Sequence, residues 1–302
     1  MIKKIGFIGL GIMGKHMVKN LLKGGYTVAV YDIVETAVED GVKAGAVKAQ
    51  SPADAAAQSE MVITMLPNSP HVKEAILGKN GVIEGAKPGT LIVDMSSIDP
   101  MISREIAAEL AAKKINMMDA PVSGGEPKAI DGTLSIMVGG RNEDFIIAEP
   151  VLKAMGSSVQ LVGETGAGNV TKLANQIIVA LNIAAMSEAM VLAAKAGVDP
   201  ELVYKAIRGG LAGSTVLDAK APMVLNRNFK PGFRINLHIK DLVNVLNASH
   251  ELGVSLPLTA AVMEIMQAVK ADGMGDDDHS SIARYYEKLA HVEAVPGKSS
   301  NK

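Results

Sequence analysis

Residues 6–14 read GFIGLGIMG and set Gly9, Gly11 and Gly14 in the spacing G-x-G-x-x-G. The spacing matters because of what surrounds it. An apolar run over 3–9 precedes it and a helical pattern over 13–23 follows. A second apolar run, TVAVYD (27–32), then ends on Asp32, 18 residues after Gly14. In a strand–turn–helix–strand unit each glycine has its own task. Gly9 allows the tight turn, Gly11 lets a pyrophosphate approach the backbone, and Gly14 lets helix and strand pack closely. The helix N-terminus, with its partial positive charge, faces the phosphates. Leu10, Ile12 and Met13 complete the expected cofactor loop. Asp32 is placed to accept hydrogen bonds from a ribose 2′-hydroxyl and would repel a 2′-phosphate. The IVE that follows supplies no arginine to rescue such a phosphate, so the cofactor expected is NAD (as NADH), with NADP less suited. The alternative is a plain strand-to-helix turn in which Asp32 only caps or solvates a loop.

Outward from this unit, short apolar runs alternate with helical patterns. Strands are expected at 27–32, 61–66, 91–95, 116–120, 134–140 and 158–163, and helices at 36–44, 52–58, 71–77, 101–113 and 142–155. Fully apolar strands joined by helices imply a mostly parallel sheet covered on both faces. Beyond about residue 164 strand signals stop. Helical patterns run over 166–196, 199–209, 234–253, 257–272 and 280–290. The expected organisation is an α/β domain over 1–163, an all-α domain over 164–295, a long helix joining them, and a disordered tail over 296–302.

The 302 residues are 48% hydrophobic but only 3% aromatic, with no Trp and 17 Met, so the core must be aliphatic. The net charge of −2 offers no basic field for nucleic acid or anionic membrane. Absence of cysteine excludes disulfides, thiolate metal sites and cysteine catalysis, and fits a reducing cytoplasm. The six histidines form no metal-binding pattern, and GDDDH (275–279) reads as a solvated turn. The start, MIKKIGFIGLGIMGKHM, reads as a first buried strand rather than a signal peptide, because three glycines break its apolar run. The apolar stretch after Lys172 reads as too short to span a membrane.

Later loops fall where strands end, the edge at which such sheets bind ligands. In MLPNSPHV (65–72), Leu66, Pro67 and Asn68 are candidate cofactor contacts; in DMSSIDP (94–100), Ser96 and Ser97 are candidates for the nicotinamide end. Ordinary turns explain both loops equally well. In MDAPVSGGEPKAIDGTL (118–134), Ser123, Gly124 and Gly125 offer a hydroxyl and unobstructed N–H groups, a nest suited to a carboxylate. A glycine-rich loop without a ligand is the alternative.

GAGNVTKLANQIIVALNIAAMSEAM (166–190) carries one basic residue, Lys172, followed by 15 residues without charge. Either its ammonium snorkels to water or it transfers a proton. Gly168, Lys172 and Asn175 or Gln176 share one helix face, and Gly168 is expected to leave space beside it. In FRINLHIKDL (233–242), Lys240 and Asp241 fit either a closing cleft or, more ordinarily, a solvated face.

Together GFIGLGIMG, DAPVSGG, GNVTKLANQ and KDL, in this order and spacing, resemble the β-hydroxyacid dehydrogenase family over about residues 1–292. The resemblance implies a Rossmann-like domain, a long interdomain helix, an all-helical domain that also forms dimers or tetramers, and substrate in the cleft between domains. It implies reversible hydride transfer between NAD(H) and a short semialdehyde or hydroxyacid. Lys172 matches the catalytic acid/base and Ser123, Gly124 and Gly125 the carboxylate loop. Asn175 matches a substrate-orienting amide, and Lys240 a residue closing on cofactor and substrate. Gln176 departs from the family's second asparagine but can supply the same groups one methylene further out. A non-catalytic dinucleotide-binding module is the remote alternative, and the retained Lys172 argues against it.

Overall fold

The computed structural model describes residues 2–297, so residues 298–302 of the expected tail lie outside the described residues. The chain divides into two compact units, Met1–Lys172 and Leu173–Lys302. The division falls inside a helix, Ala167–Lys195.

The first unit is built on a nine-stranded sheet. Its strands are β1 (Lys4–Ile8), β2 (Thr27–Tyr31), β3 (Val47–Lys48), β4 (Met61–Thr64), β5 (Leu91–Asp94), β6 (Asn116–Asp119), β7 (Val122–Ser123), β8 (Leu134–Gly139) and β9 (Gly156–Gly163). The order is β3-β2-β1-β4-β5-β6-β8-β7, with β9 also on β8. Strands β1 to β6 run parallel; β8 is antiparallel to β6 and β7, and parallel to β9. The sheet is thus mostly parallel, as expected. The two-residue strands β3 and β7 are too short for periodicity to reveal.

Alternation along each strand divides the apolar residues between two cores. Ile5 and Phe7, Met61 and Ile63, and Leu91 and Val93 pack on one face with Met17, Val18 and Leu21 of the Gly14–Lys23 helix. Ile8, Val62 and Ile92 face the other way, against Val72, Ile76, Ile106 and Leu110. Because β2 and β4 flank β1 on opposite sides, the chain reverses its direction of winding at the C-terminal end of β1. A crevice at such a point is where open α/β sheets bind ligands.

The second unit is helical and has its own core, drawn from Ile183 and Met190 of the long helix, Leu217 and Val224, Leu242 and Val245, and Met266. The helix Thr215–Leu225 was not expected; glycines at 209, 210 and 213 and the internal Pro222 obscured its pattern. Its start is capped by Ser214, whose hydroxyl accepts the Leu217 N–H at 2.9 Å. GDDDH is not simply a solvated turn either. Asp278 is fully buried and accepts from Lys220, Gly232, Phe233 and Ser280, while the adjacent His279 packs against Phe233 and His238.

Ala167–Lys195 is long and apolar enough to cross a membrane by length and composition, contrary to the expectation drawn from the uncharged run alone. Half of its most apolar window is buried inside the protein. Ala180, Ile183 and Met190 on that helix are core residues, which accounts for its apolar character.

Candidate functional site

The glycine loop opens at the C-terminal end of β1. Gly9 adopts φ +100°, and a Cβ there would stand 2.3 Å from the Met65 carbonyl oxygen. A Cβ on Gly14 would stand 1.9 Å from the Gly9 carbonyl oxygen, so only glycine lets the helix start this close to the turn. Gly11 differs: a Cβ there meets nothing within 4 Å. Two glycines are needed by the fold and the middle one leaves open space, which is the cradle a pyrophosphate requires. Leu10 and Met13 turn their side chains toward the core, so they can serve a cofactor only through their backbones; Ile12 is exposed.

Asp32 follows β2. One carboxylate oxygen accepts the Leu10 N–H at 2.6 Å and the other the Val34 N–H at 2.8 Å. Asp32 therefore braces the glycine loop, a role the sequence assigned only to the alternative reading. Each carboxylate oxygen has a second lone pair with which to meet a ribose hydroxyl.

The next two loops lock to one another. Ser96 is fully buried; its hydroxyl accepts the Leu66 N–H at 2.9 Å and its own N–H goes to Asp94 at 3.1 Å. This serine holds the loop after β4 to the loop after β5. Ser97 is half-buried, and Pro67 is exposed at the mouth of its loop. Asn68 lies just before the Ser69–Leu77 helix, with its side-chain oxygen on His71.

Ser123 ends β7, and the two glycines after it both have positive φ, +133° at Gly124 and +68° at Gly125. The backbone turns sharply there into the Gly125–Asp131 helix. Glu126, in its first turn, meets Lys15 Nζ at 3.2 Å and His16 Nε2 at 3.1 Å, at the start of the glycine-loop helix. The hydrogen bond from His16 chiefly holds the Glu126 carboxyl below its ordinary range. The segment after β7 and the helix that follows the glycine loop are thus tied by side chains 110 residues apart.

Two acids not anticipated as site residues end β5 and β6. Asp94 and Asp119 are opposite each other in the parallel register and fully buried. Asp94 accepts the Thr64 hydroxyl at 2.8 Å. Asp119 accepts the N–H groups of Gly166 and Asn169, both at 2.6 Å, at the start of the long helix. Burial pushes both carboxyls up, each to about 6. A signal was present: LIVD and NMMD each close an apolar strand with an aspartate.

Lys172 is 6% exposed, which removes snorkelling as an account of it. Gly168 does not open a space beside it. A Cβ there would stand 2.4 Å from the Met137 carbonyl oxygen and 2.7 Å from that of Asp119, so the glycine serves close packing of helix on sheet.

In the second unit, Asn175 donates to the Gln176 side-chain oxygen at 2.8 Å. The Gln176 amide donates to Asp241 at 2.6 Å, and Lys240 pairs with Asp241 at 2.7 Å. Gln176 and Asp241 are 4% and 2% exposed, so this stretch is not a solvated charged face. Both ends of the Gln176 amide are engaged by protein. Gln176 thus links Asn175 to Asp241, and its side chain spans between them.

Residues 4–163 match the model of the NAD-binding domain of 6-phosphogluconate dehydrogenase, and residues 166–286 match that of the NAD-binding domain of NADP-dependent 3-hydroxyisobutyrate dehydrogenase. The chain belongs to the β-hydroxyacid dehydrogenase family. Among relatives of this β-hydroxyacid dehydrogenase, 2-hydroxy-3-oxopropionate reductase of Escherichia coli is 41% identical over 95% of this chain and 98% of its own. The 2-(hydroxymethyl)glutarate dehydrogenase of Eubacterium barkeri is 39% identical over 98% of both chains. The solved structure of Mycobacterium tuberculosis 3-hydroxyisobutyrate dehydrogenase with L-serine superimposes with a TM-score of 0.89 at 32% identity, covering 95% of this chain and 99% of that one. This β-hydroxyacid dehydrogenase is accordingly an oxidoreductase with a Rossmann-type dinucleotide-binding domain.

Proposed function

We propose that this β-hydroxyacid dehydrogenase reduces tartronate semialdehyde (2-hydroxy-3-oxopropanoate) to glycerate, reversibly and with NADH. The observation that carries the substrate is the 41% identity, over nearly the full length of both chains, to the Escherichia coli 2-hydroxy-3-oxopropionate reductase. Bound NADH supplies the hydride to the aldehyde carbon. As the carbonyl bond becomes a single bond its oxygen takes a proton, and Lys172 is the group positioned to give it; the resulting amine is reprotonated from solvent, and the reverse reaction runs the same proton back. Ser123, Gly124 and Gly125 hold the substrate carboxylate, and Asn175, set by Gln176, orients the substrate hydroxyl. Lys240 closes on cofactor and substrate. A cysteine-free chain suits the cytoplasm, and exposed Leu192, Leu202 and Leu258 on the helical unit suit assembly into a dimer or tetramer.

Tartronate semialdehyde is expected to exceed methylmalonate semialdehyde in kcat/KM, because a site that hydrogen-bonds a hydroxyl rejects an analogue lacking it. The likeness to 3-hydroxyisobutyrate dehydrogenase makes the reverse ranking the second reading. A panel of semialdehydes followed by NADH absorbance decides between them. In the same assay the methyl ester is expected to be a much poorer substrate than the free acid; equal rates would remove the carboxylate nest. The ester is a cleaner probe than Gly124→Val, because φ +133° already strains any side chain at that position.

NADH is expected to be preferred over NADPH. Asp32→Ser should narrow that preference by relieving repulsion of the 2′-phosphate. It should also weaken NADH binding, since the carboxylate bonds to Leu10 and Val34 are lost. Equal kcat/KM for the two cofactors in the natural chain would refute the assignment of Asp32.

A further inference from the structure

A lysine side chain has four rotatable bonds, so a proton donor of this kind is only as well placed as the backbone turn that carries it. That turn is held from outside the helix. The first N–H groups of a helix need acceptors that the helix cannot supply. Here they are supplied by Asp119, about fifty residues earlier in the chain, with one oxygen on Gly166 and the other on Asn169. Asn169 is fully buried, and its side chain reaches further. Its oxygen accepts the Ile98 N–H at 3.1 Å and its nitrogen donates to the Ser103 hydroxyl at 3.1 Å. The backbone of Asn169 is thus gripped by β6 while its side chain is gripped by the segment after β5 and the Pro100–Ala111 helix. Lys172 lies three residues on, a neighbour on the same helical surface. An apolar side chain could fill the same space, but it would fix neither the axial position nor the rotation of the turn; two directional hydrogen bonds do.

We infer that Asn169, held by Asp119, is a positioning residue that sets Lys172 for proton donation. The inference rests on the reading of Lys172 as the proton donor. Asn169→Ala in the full-length enzyme is expected to bind NADH with a dissociation constant within about twofold of the natural chain by fluorescence, because the glycine loop is untouched. With tartronate semialdehyde as substrate, kcat should fall about 10–100-fold with KM little changed, since a misplacement near 1 Å is worth that much. The solvent deuterium isotope effect on kcat should rise, because proton donation becomes the slow step. A purely structural loss would lower the active fraction and leave that isotope effect where it was. Added to Lys172→Ala, Asn169→Ala should bring no further loss, because the group it positions is gone. Should Asn169→Ala not fold, Ser103→Ala, which removes one of its two partners, is read by the same criteria with a smaller expected effect. Wild-type kcat with an unchanged isotope effect, or the same fold-loss in the Lys172→Ala background, overturns the inference. If Lys172→Ala is itself fully active, the proton-donor reading fails first; if only Lys172→Ala is impaired, the positioning role alone fails.

Discussion

Lys172→Ala is expected to fold, to bind NADH, and to turn over about 10²–10⁴-fold more slowly than the natural chain, the range of a positioned proton donor. The side chain is buried, so its loss is not the trimming of a surface lysine. NADH affinity should hold, because Lys172 is remote in the chain from the loop at Gly9–Gly14 proposed to receive the pyrophosphate. Lys172→Arg separates charge from proton transfer. Arginine keeps the positive charge but does not release a proton near neutral pH. A purely electrostatic role would let arginine recover much of the rate; proton donation leaves it nearly as slow as alanine. Rates are to be taken at saturating NADH and semialdehyde, with a thermal melt on each variant. A folded, NADH-binding Lys172→Ala enzyme that keeps more than about a tenth of the natural kcat would sink the assignment.

Gly11→Val and Gly14→Val should fail in opposite ways. At Gly11 the added side chain enters open space, so the melt should stay within about 0.5 kcal/mol of the natural chain while NADH binding is lost. At Gly14 the new Cβ would overlap the Gly9 carbonyl oxygen, and the first helix could no longer seat on β1. That variant should be destabilised by about 3 kcal/mol or more, beyond ordinary overpacking, because a backbone oxygen cannot rotate away. Melting curves beside NADH fluorescence titrations test both. Normal NADH binding by folded Gly11→Val would show that the pyrophosphate does not lie against that residue.

The contrast between these glycines also shows what a sequence makes legible. The strand, turn, helix and closing Asp32 are local, so their spacing survives in the string of letters. The fully apolar runs that became β1, β4 and β5 were equally readable, and with them a sheet covered on both faces. What escaped depends on partners far apart in the chain. Asn169 looks like any helix-start asparagine until its bonds to Ile98 and Ser103, 71 and 66 residues away, are seen. Ser96 reads as a free hydroxyl until Leu66 claims it. Gly168 reads as room for a ligand, whereas the room is filled by the carbonyls of Met137 and Asp119. In each case the residue type was right for two uses, and only the tertiary neighbours chose between them. Gln176 is the same case: its departure from asparagine becomes intelligible once Asp241, 65 residues away, is seen to accept from its amide.

The buried pair that ends β5 and β6 gives the folded chain a proton account of its own. Asp94 and Asp119 have an ordinary value of 3.8 and are pushed to about 6 by burial. Between those pH values these two carboxyls bind more protons in the native state than in the unfolded chain, so their contribution to stability declines as the pH rises through the window. Above it, each carboxylate taken alone opposes folding by on the order of 3 kcal/mol, about two pKa units at about 1.4 kcal/mol each. This pair therefore favours the fold most in mild acid, where Asp119 takes a proton. A protonated carboxyl, however, turns one oxygen into a donor and no longer offers a free acceptor to each of the Gly166 and Asn169 N–H groups. Near neutrality the pair opposes folding more while Asp119 fastens the start of the long helix better, so the protonation state of Asp119 that most favours the fold is not the one that best holds that turn.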